Sequence, residues 1–437
     1  MKRSLSSTAV IAAALMLLAQ PARAYIDPGT GSALFYVISG IVVSLYFSIR
    51  SLYYRVVESA FRLRYKDQSC GIAIHCEDPR YEITFLPIIA ALSRRGISST
   101  FFTMYERGES FEPLPEDVVH KAIAPGMVGY AYLNNLEAVL LVTTTPQLDV
   151  MTFRRSRRVR HYAIVQHAVG ESRYVRPYAY DYFDSVLCCG EILKNNIRRM
   201  ESIRGSAPKN LYETGLPHYE ALLANARATP LPPGDPVVLV APSWGPLSMF
   251  EAFGTDFIAG IARRFKVIVR PHPQMKVSQP DLYARILALE GVVVDTSRTP
   301  AAAMSQAHVL LSDISGITHE FAFIYERPVV IIDRQQTNGG LEGELLGGDS
   351  ELKQCCRDFI VPVPPSEINE IATHLERVLS NPSAKRIAAV RSRLIYNFGT
   401  GSKVAAEQLA GIFMREQQSV GSKKARGLPV SVVGEAA

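Results

Sequence analysis

One tryptophan in 437 residues, and no interleaving of arginine with aromatic side chains, leaves this chain without a base-stacking platform. The net charge of +6 therefore speaks for attraction to anions in general and not for nucleic acid. No GxGxxG follows the first β-like run, which argues against a conventional dinucleotide site. The six cysteines, Cys70, Cys76, Cys188, Cys189, Cys355 and Cys356, show no CxxC or Cys/His spacing for zinc. Adjacent cysteines make poor disulfide partners, so they read as reduced thiols of a cytosolic compartment. No carboxylate cluster demands a metal, and no repeat runs along the chain.

Hydrophobic residues, in contrast, make up 48% of the sequence, enough for two core-bearing domains. Lys2-Arg3, the apolar run Ala9 to Leu18 and Pro21-Ala22-Arg23-Ala24 have the order of a secretory signal or a first hydrophobic helix over residues 1–24. Residues 25–68 hold a second uncharged run, Ser32 to Ile49, followed by Arg50, Arg55, Arg62, Arg64 and Lys66 against Glu58 and Asp67. This reads as a transmembrane helix with a basic juxtamembrane collar. The positive-inside rule then puts the rest of the chain on the cytoplasmic face of the inner membrane, whether or not the first segment is removed.

From Cys70 onward β-like and helical runs alternate, which predicts an α/β fold with mostly parallel sheets. The expected strands are Gly71 to His75, Ser98 to Met104, Ala138 to Thr143, Tyr162 to Gln166 and Ser185 to Cys188, with a helix around Ile83 to Arg95. The Pro/Gly-rich stretch Pro230 to Pro236 separates a first Rossmann-like domain, 69–234, from a second, 235–415, and 416–437 reads as a disordered tail. In the first domain His167 stands at a strand end beside a turn, a position suited to proton transfer. Arg154, Arg155, Arg157, Arg158 and Arg160 form a dense cationic run that can meet the phosphates of a lipid-linked or polymeric acceptor.

The second domain carries the strongest pattern. The run Phe265 to Val269 delivers Arg270 and His272, flanked by Pro271 and Pro273, to a sheet's carboxyl edge, where open α/β sheets bind ligands. The run His308 to Leu311 ends in Ser312, Asp313, Ser315 and Gly316 and passes into the helical spacing Ile317, Phe321, Ile324. That turn would crown a helix N-terminus, a natural seat for phosphate.

Pro271-His272-Pro273, Leu311 to Gly316, Glu320-Phe321 and Arg327-Pro328-Val329-Val330 together resemble the CDP-glycerol:poly(glycerophosphate) glycerophosphotransferases, the teichoic-acid type polymerases and primases. Val165-Gln166-His167, Gly215-Leu216-Pro217 and Ala241-Pro242-Ser243-Trp244 extend the resemblance over roughly residues 137–400. It implies a GT-B architecture, two Rossmann-like domains facing a cleft, here preceded by an N-terminal membrane segment. It implies a transferase moving glycerol phosphate or a related polyol phosphate from a CDP-alcohol donor to a hydroxyl of a cell-envelope acceptor. His167 is then the base toward the acceptor, His272 a donor to the phosphates, and Arg270, Ser312, Asp313, Ser315 and Gly316 the nucleotide and phosphate side. No cofactor is implied, and a divalent cation on the donor phosphates stays open. Gln166-His167-Ala168-Val169-Gly170 departs from the family's Trp-His-Gly-Thr-Pro, so the acceptor side is altered, and Ile314 and Gly316 stand where Tyr and Ser are usual. Two other classes stay open: a GT-B nucleotide-sugar glycosyltransferase or UDP-N-acetylglucosamine 2-epimerase-like enzyme, and a non-catalytic membrane-tethered module that binds an envelope polymer.

Overall fold

The computed structural model of the chain describes residues 37–53, 56, 69–109, 111–297, 299–313, 315–334, 340–381 and 383–425. It divides into two compact units, Met1–Arg64 and Tyr65–Ala437. In the first unit residues 37–53 are helical and expose their apolar side chains, among them Ile41, Val42, Leu45, Phe47 and Ile49. Among the described residues no helix is long and apolar enough to cross a membrane. The expected segment 1–24 and the collar residues Arg55, Arg62, Arg64 and Lys66 lie outside the described residues.

The second unit is built on two parallel sheets. The first has the strands β1 (Ser69–Cys76), β2 (Ser99–Thr103), β3 (Val119–Ala122), β4 (Glu137–Thr143), β5 (Val159–Val165), β6 (Ser185–Cys188) and β7 (Asn210–Glu213). The second has β8 (Val237–Val240), β9 (Lys266–Val269), β10 (Val293–Val294), β11 (Val309–Ser312), β12 (Val329–Ile332) and β13 (Ile360–Val363). Their spatial orders, β3-β2-β1-β4-β5-β6-β7 and β10-β9-β8-β11-β12-β13, are the same doubly wound order with one strand added to the first. Each therefore has a crevice where the strand order reverses, beside β1 and β4 in one and β8 and β11 in the other. The inner strands are buried on both faces, as helix-covered parallel strands must be, and so appear in the sequence as continuous apolar runs. The strands β3 and β7 escape that signal because they are edges with exposed ends and polar residues.

Two corrections concern the C-terminal part. The helix Gly401–Ala425 was assigned by the sequence partly to the second domain and partly to a disordered tail. It packs instead in the first core, where Ala405, Ala406, Leu409 and Ile412 meet Ile72, Phe85, Ile88 and Leu140. The chain crosses back through residues 394–400, whose backbone lies directly on the carboxyl ends of β6 and β7. A Cβ at Gly190 would stand 1.7 Å from the Leu394 carbonyl oxygen, and one at Gly215, whose φ is +81°, 2.0 Å from that of Tyr396. Glycine is required at both points by close backbone approach, and at Gly215 by conformation as well.

The segment 340–349 ties the halves together a second time. Arg204, at the end of the helix Glu191–Arg204, donates to Glu342 at 2.6 and 3.0 Å and to Asp181 at 2.7 and 2.9 Å. Arg173 donates to the carbonyl oxygens of Gly347 at 2.7 Å and Asp349 at 3.1 Å.

Candidate active site

The two carboxyl edges meet in a cleft. From the first sheet come the turn after β1, with Asp78, Arg80 and Tyr81, and the turn after β5, with His167. From the second come the turn after β9, with His272, and the turn after β11 leading into the helix Ile317–Tyr325, with Glu320 in its first turn. His218 precedes the helix Tyr219–Ala228 and lies with its Nε2 3.3 Å from Glu320 Oε1, a direct bond between the halves. With that nitrogen donating, the buried His218 Nδ1 is left without a partner among the described residues.

His167 opens onto the cleft, and its ring packs on Tyr81 with centroids 4.5 Å apart. The surrounding walls, then His218 and Arg80, push its pKa down toward about 4, against the pull of Glu320; its access to water moderates that depression. His272 is half-buried and tilted over Trp244 at 6.2 Å. The Gln274 backbone N–H donates to its Nδ1 at 3.1 Å, so the neutral ring carries its proton on Nε2. Burial, Arg80 and Arg270 bring it down to about 4. Both imidazoles are therefore neutral at pH 7: one is free to accept a proton, and the other presents an N–H.

The expected phosphate ligands divide into those engaged by the protein and those left open. Arg270 is buried and donates to Asp295 at 2.5 Å and to the Ser297 hydroxyl and carbonyl at 3.2 and 2.9 Å, bonds that prop β9 against the loop after β10. Ser312 is fully buried and donates to the Ala241 carbonyl at 2.5 Å. Asp313 accepts from the backbone N–H groups of Ser243 at 2.7 Å and Met249 at 2.9 Å. These two residues shape the β8 loop at the switch point. The buried hydroxyl of Ser243 in that loop has no partner among the described residues. Ser315 is half-buried and Gly316 exposed, with nothing within 4 Å of where a Cβ would stand, so the helix N-terminus is open to an anion.

The arginine run stands apart from the cleft. Arg154, Arg155, Arg157 and Arg158 precede the amino end of β5, while His167 follows its carboxyl end, roughly 20 Å along the strand. Arg155 donates to Asp184 at 2.8 Å and to the Tyr182 carbonyl at 2.7 Å, Arg158 pairs with Glu137, and Arg160 donates to the Glu416 carbonyl at 3.2 Å. Those partners brace the sheet's amino edge, so the run lies at the end of the sheet opposite His167. Among the described residues no group of three or more His, Cys, Asp or Glu is arranged to hold a metal ion.

Sequence reasoning missed Arg80, Tyr81 and the His218–Glu320 pair as site residues. Asp78-Pro79-Arg80 carried a usable signal, since Asp followed by Pro after an apolar run marks a cap at a strand's carboxyl end. Asp78 is indeed the cap of the single turn Pro79–Tyr81 and also holds the Arg80 side chain. The His218–Glu320 contact spans 102 residues and had no local signature.

No protein-family model and no curated protein matches the chain. Among solved structures it is similar to the wall teichoic acid polymerase TagF, at 13% identity and a TM-score of 0.54, over 87% of this chain and 99% of that one. It is also similar to a putative UDP-N-acetylglucosamine 2-epimerase from Listeria monocytogenes, at 10% identity and a TM-score of 0.50, over 77% of this chain and 94% of that one. At such identities the likeness is one of fold, and the fold is GT-B.

Proposed function

We propose that this chain is a membrane-anchored transferase of the cytoplasmic face, moving glycerol phosphate or a related polyol phosphate from a CDP-alcohol to a hydroxyl of a lipid-linked or polymeric envelope acceptor. The observation that carries the reading is the pair of neutral histidines, His167 and His272, one at the carboxyl edge of each sheet. In the step they serve, the acceptor oxygen attacks the phosphorus that bears the alcohol. The new P–O bond forms as the bond to the bridging oxygen breaks, CMP leaves with that electron pair, and the acceptor's proton passes to His167. His272 Nε2–H donates to a phosphoryl oxygen, and the N-terminus of the helix Ile317–Tyr325 faces the nucleotide's phosphates. The exposed apolar side chains of residues 37–53 support contact with lipid.

Binding of CDP, CMP, CDP-glycerol, UDP and UDP-sugars to the full-length chain tests the donor. Selective binding of cytidine ligands is expected. A preference for UDP compounds would move the chain to nucleotide-sugar chemistry, the kind named for the putative UDP-N-acetylglucosamine 2-epimerase whose fold it shares.

The acid limb of the rate carries its own prediction. His167 accepts a proton only when neutral, and its pKa is depressed, so kcat/KM is expected to stay level as pH falls through 6.5 and to decline only on approach to about 4. A limb at or above 6.5 would contradict the proton-acceptor role.

A further inference from the structure

Arg80 stands at the switch point of the first sheet, yet every functional assignment so far bypasses it. Its Nε and Nη2 donate to the two oxygens of Asp78 at 2.8 and 2.9 Å, and its own backbone N–H donates to Asp78 Oδ1 at 2.9 Å. The guanidinium is thus held along one edge, and Nη1 has no hydrogen-bond partner among the described residues. The turn is fixed from the other side as well. Glu82, buried, accepts from Arg107 at 2.5 Å and from the Tyr105 hydroxyl at 3.2 Å. Between these anchors Tyr81 carries the His167 ring, and the Arg80 charge bears on both His167 and His272. Arg270 is committed to Asp295, and both histidines are neutral at pH 7, so neither histidine supplies positive charge to the centre of the cleft. A phosphoryl centre under attack needs such charge on its equatorial oxygens.

We propose that Arg80 binds the distal phosphate of a nucleoside diphosphate, the phosphate that is transferred, through the free edge of its Asp78-held guanidinium. This rests on the transferase reading above. It adds that the first domain, and not only the nucleotide-facing second one, grips the donor. The fork geometry is specific: lysine keeps the charge but not the planar edge, and cannot be held by Asp78 in the same way.

The test compares dissociation constants of CDP, CMP, UDP and UMP for the full-length chain and its Arg80→Ala, Arg80→Lys and Asp78→Asn variants. Removing the guanidinium is expected to weaken the diphosphate of the preferred base by about 10–100-fold and leave its monophosphate within about twofold, because one charge-assisted contact is lost. Arg80→Lys should recover part of the loss, and added guanidinium ion should partly restore diphosphate binding to Arg80→Ala. Asp78→Asn should show a smaller loss with the same diphosphate bias. Equal weakening of mono- and diphosphate would mean that Arg80 only props the turn, and unchanged affinities would mean that it does not face the donor; either overturns the proposal. The base preferred by the unaltered chain reports separately on the donor reading. A preference for uridine sinks the cytidine assignment while the UDP-to-UMP comparison still judges Arg80, and absence of all nucleotide binding overturns both.

Discussion

Replacing His167 by alanine is expected to lower kcat by about 10²–10⁴-fold while leaving donor affinity nearly intact. The ring meets Tyr81 in the cleft and bonds to none of the groups that hold the fold together, so its removal takes away a proton acceptor and little else. The Tyr81 contact is one tilted ring pair at an open position, which limits the structural cost. Steady-state rates with CDP-glycerol and a hydroxyl acceptor, set beside CDP binding to the same variant, separate the two effects. A variant that turns over within about an order of magnitude of the unaltered chain would remove His167 from the chemistry. Parallel collapse of binding and turnover would make it a structural residue. His272→Ala should differ in kind: its Nε2–H stabilises charge on the donor phosphates, so both donor affinity and kcat are expected to fall.

The architecture was legible in the sequence because parallel strands covered on both faces have to be apolar along their whole length. The runs Ala138–Thr143, Ser185–Cys188 and Phe265–Val269 each became a strand within a residue. Proline on both sides of His272 likewise ended a strand where a cleft begins. What a residue type at a strand end does was less legible. Arg270, Ser312 and Asp313 had the right chemistry for phosphate, but each satisfies groups within the fold: the Asp295 loop, the Ala241 carbonyl and the N–H groups of Ser243 and Met249. A buried N–H or carboxylate must find a partner somewhere, and the sequence does not say whether that partner is a ligand or the next loop. The return of residues 401–425 to the first core was hidden for a different reason. An amphipathic helix states that it has a buried face, not which core receives it.

Arg204→Ala is expected to cost about 3–5 kcal/mol of stability. Arg204 and its two acceptors form a junction between the halves: Glu342 comes from the segment after β12, while Asp181 and the Tyr178 ring on which the guanidinium stacks, at 4.3 Å, come from the first domain. Glu342 is only 3% exposed at its side chain, so without Arg204 its charge stays buried with the Tyr178 N–H as its remaining bond. Arg204→Met paired with Glu342→Leu removes both charges, leaving the partly exposed Asp181, and should recover much of the loss, since an apolar pair of similar volume carries no desolvation debt. Urea unfolding of the full-length chain, followed at two wavelengths or probes, measures both variants, and a fall of less than about 1 kcal/mol in Arg204→Ala would show that the junction does not carry the interdomain contact. The junction also bears on function. The segment 340–349 and the His218–Glu320 bond link the halves across the cleft, and the distance between His167 and His272 is set by how those halves meet. Loss of Arg204 should therefore raise KM for the donor even at temperatures where the variant remains folded. A stability loss with unchanged KM would mean that the contacts that remain, among them the His218–Glu320 bond and the crossing segment 394–400, hold the two sheets in register.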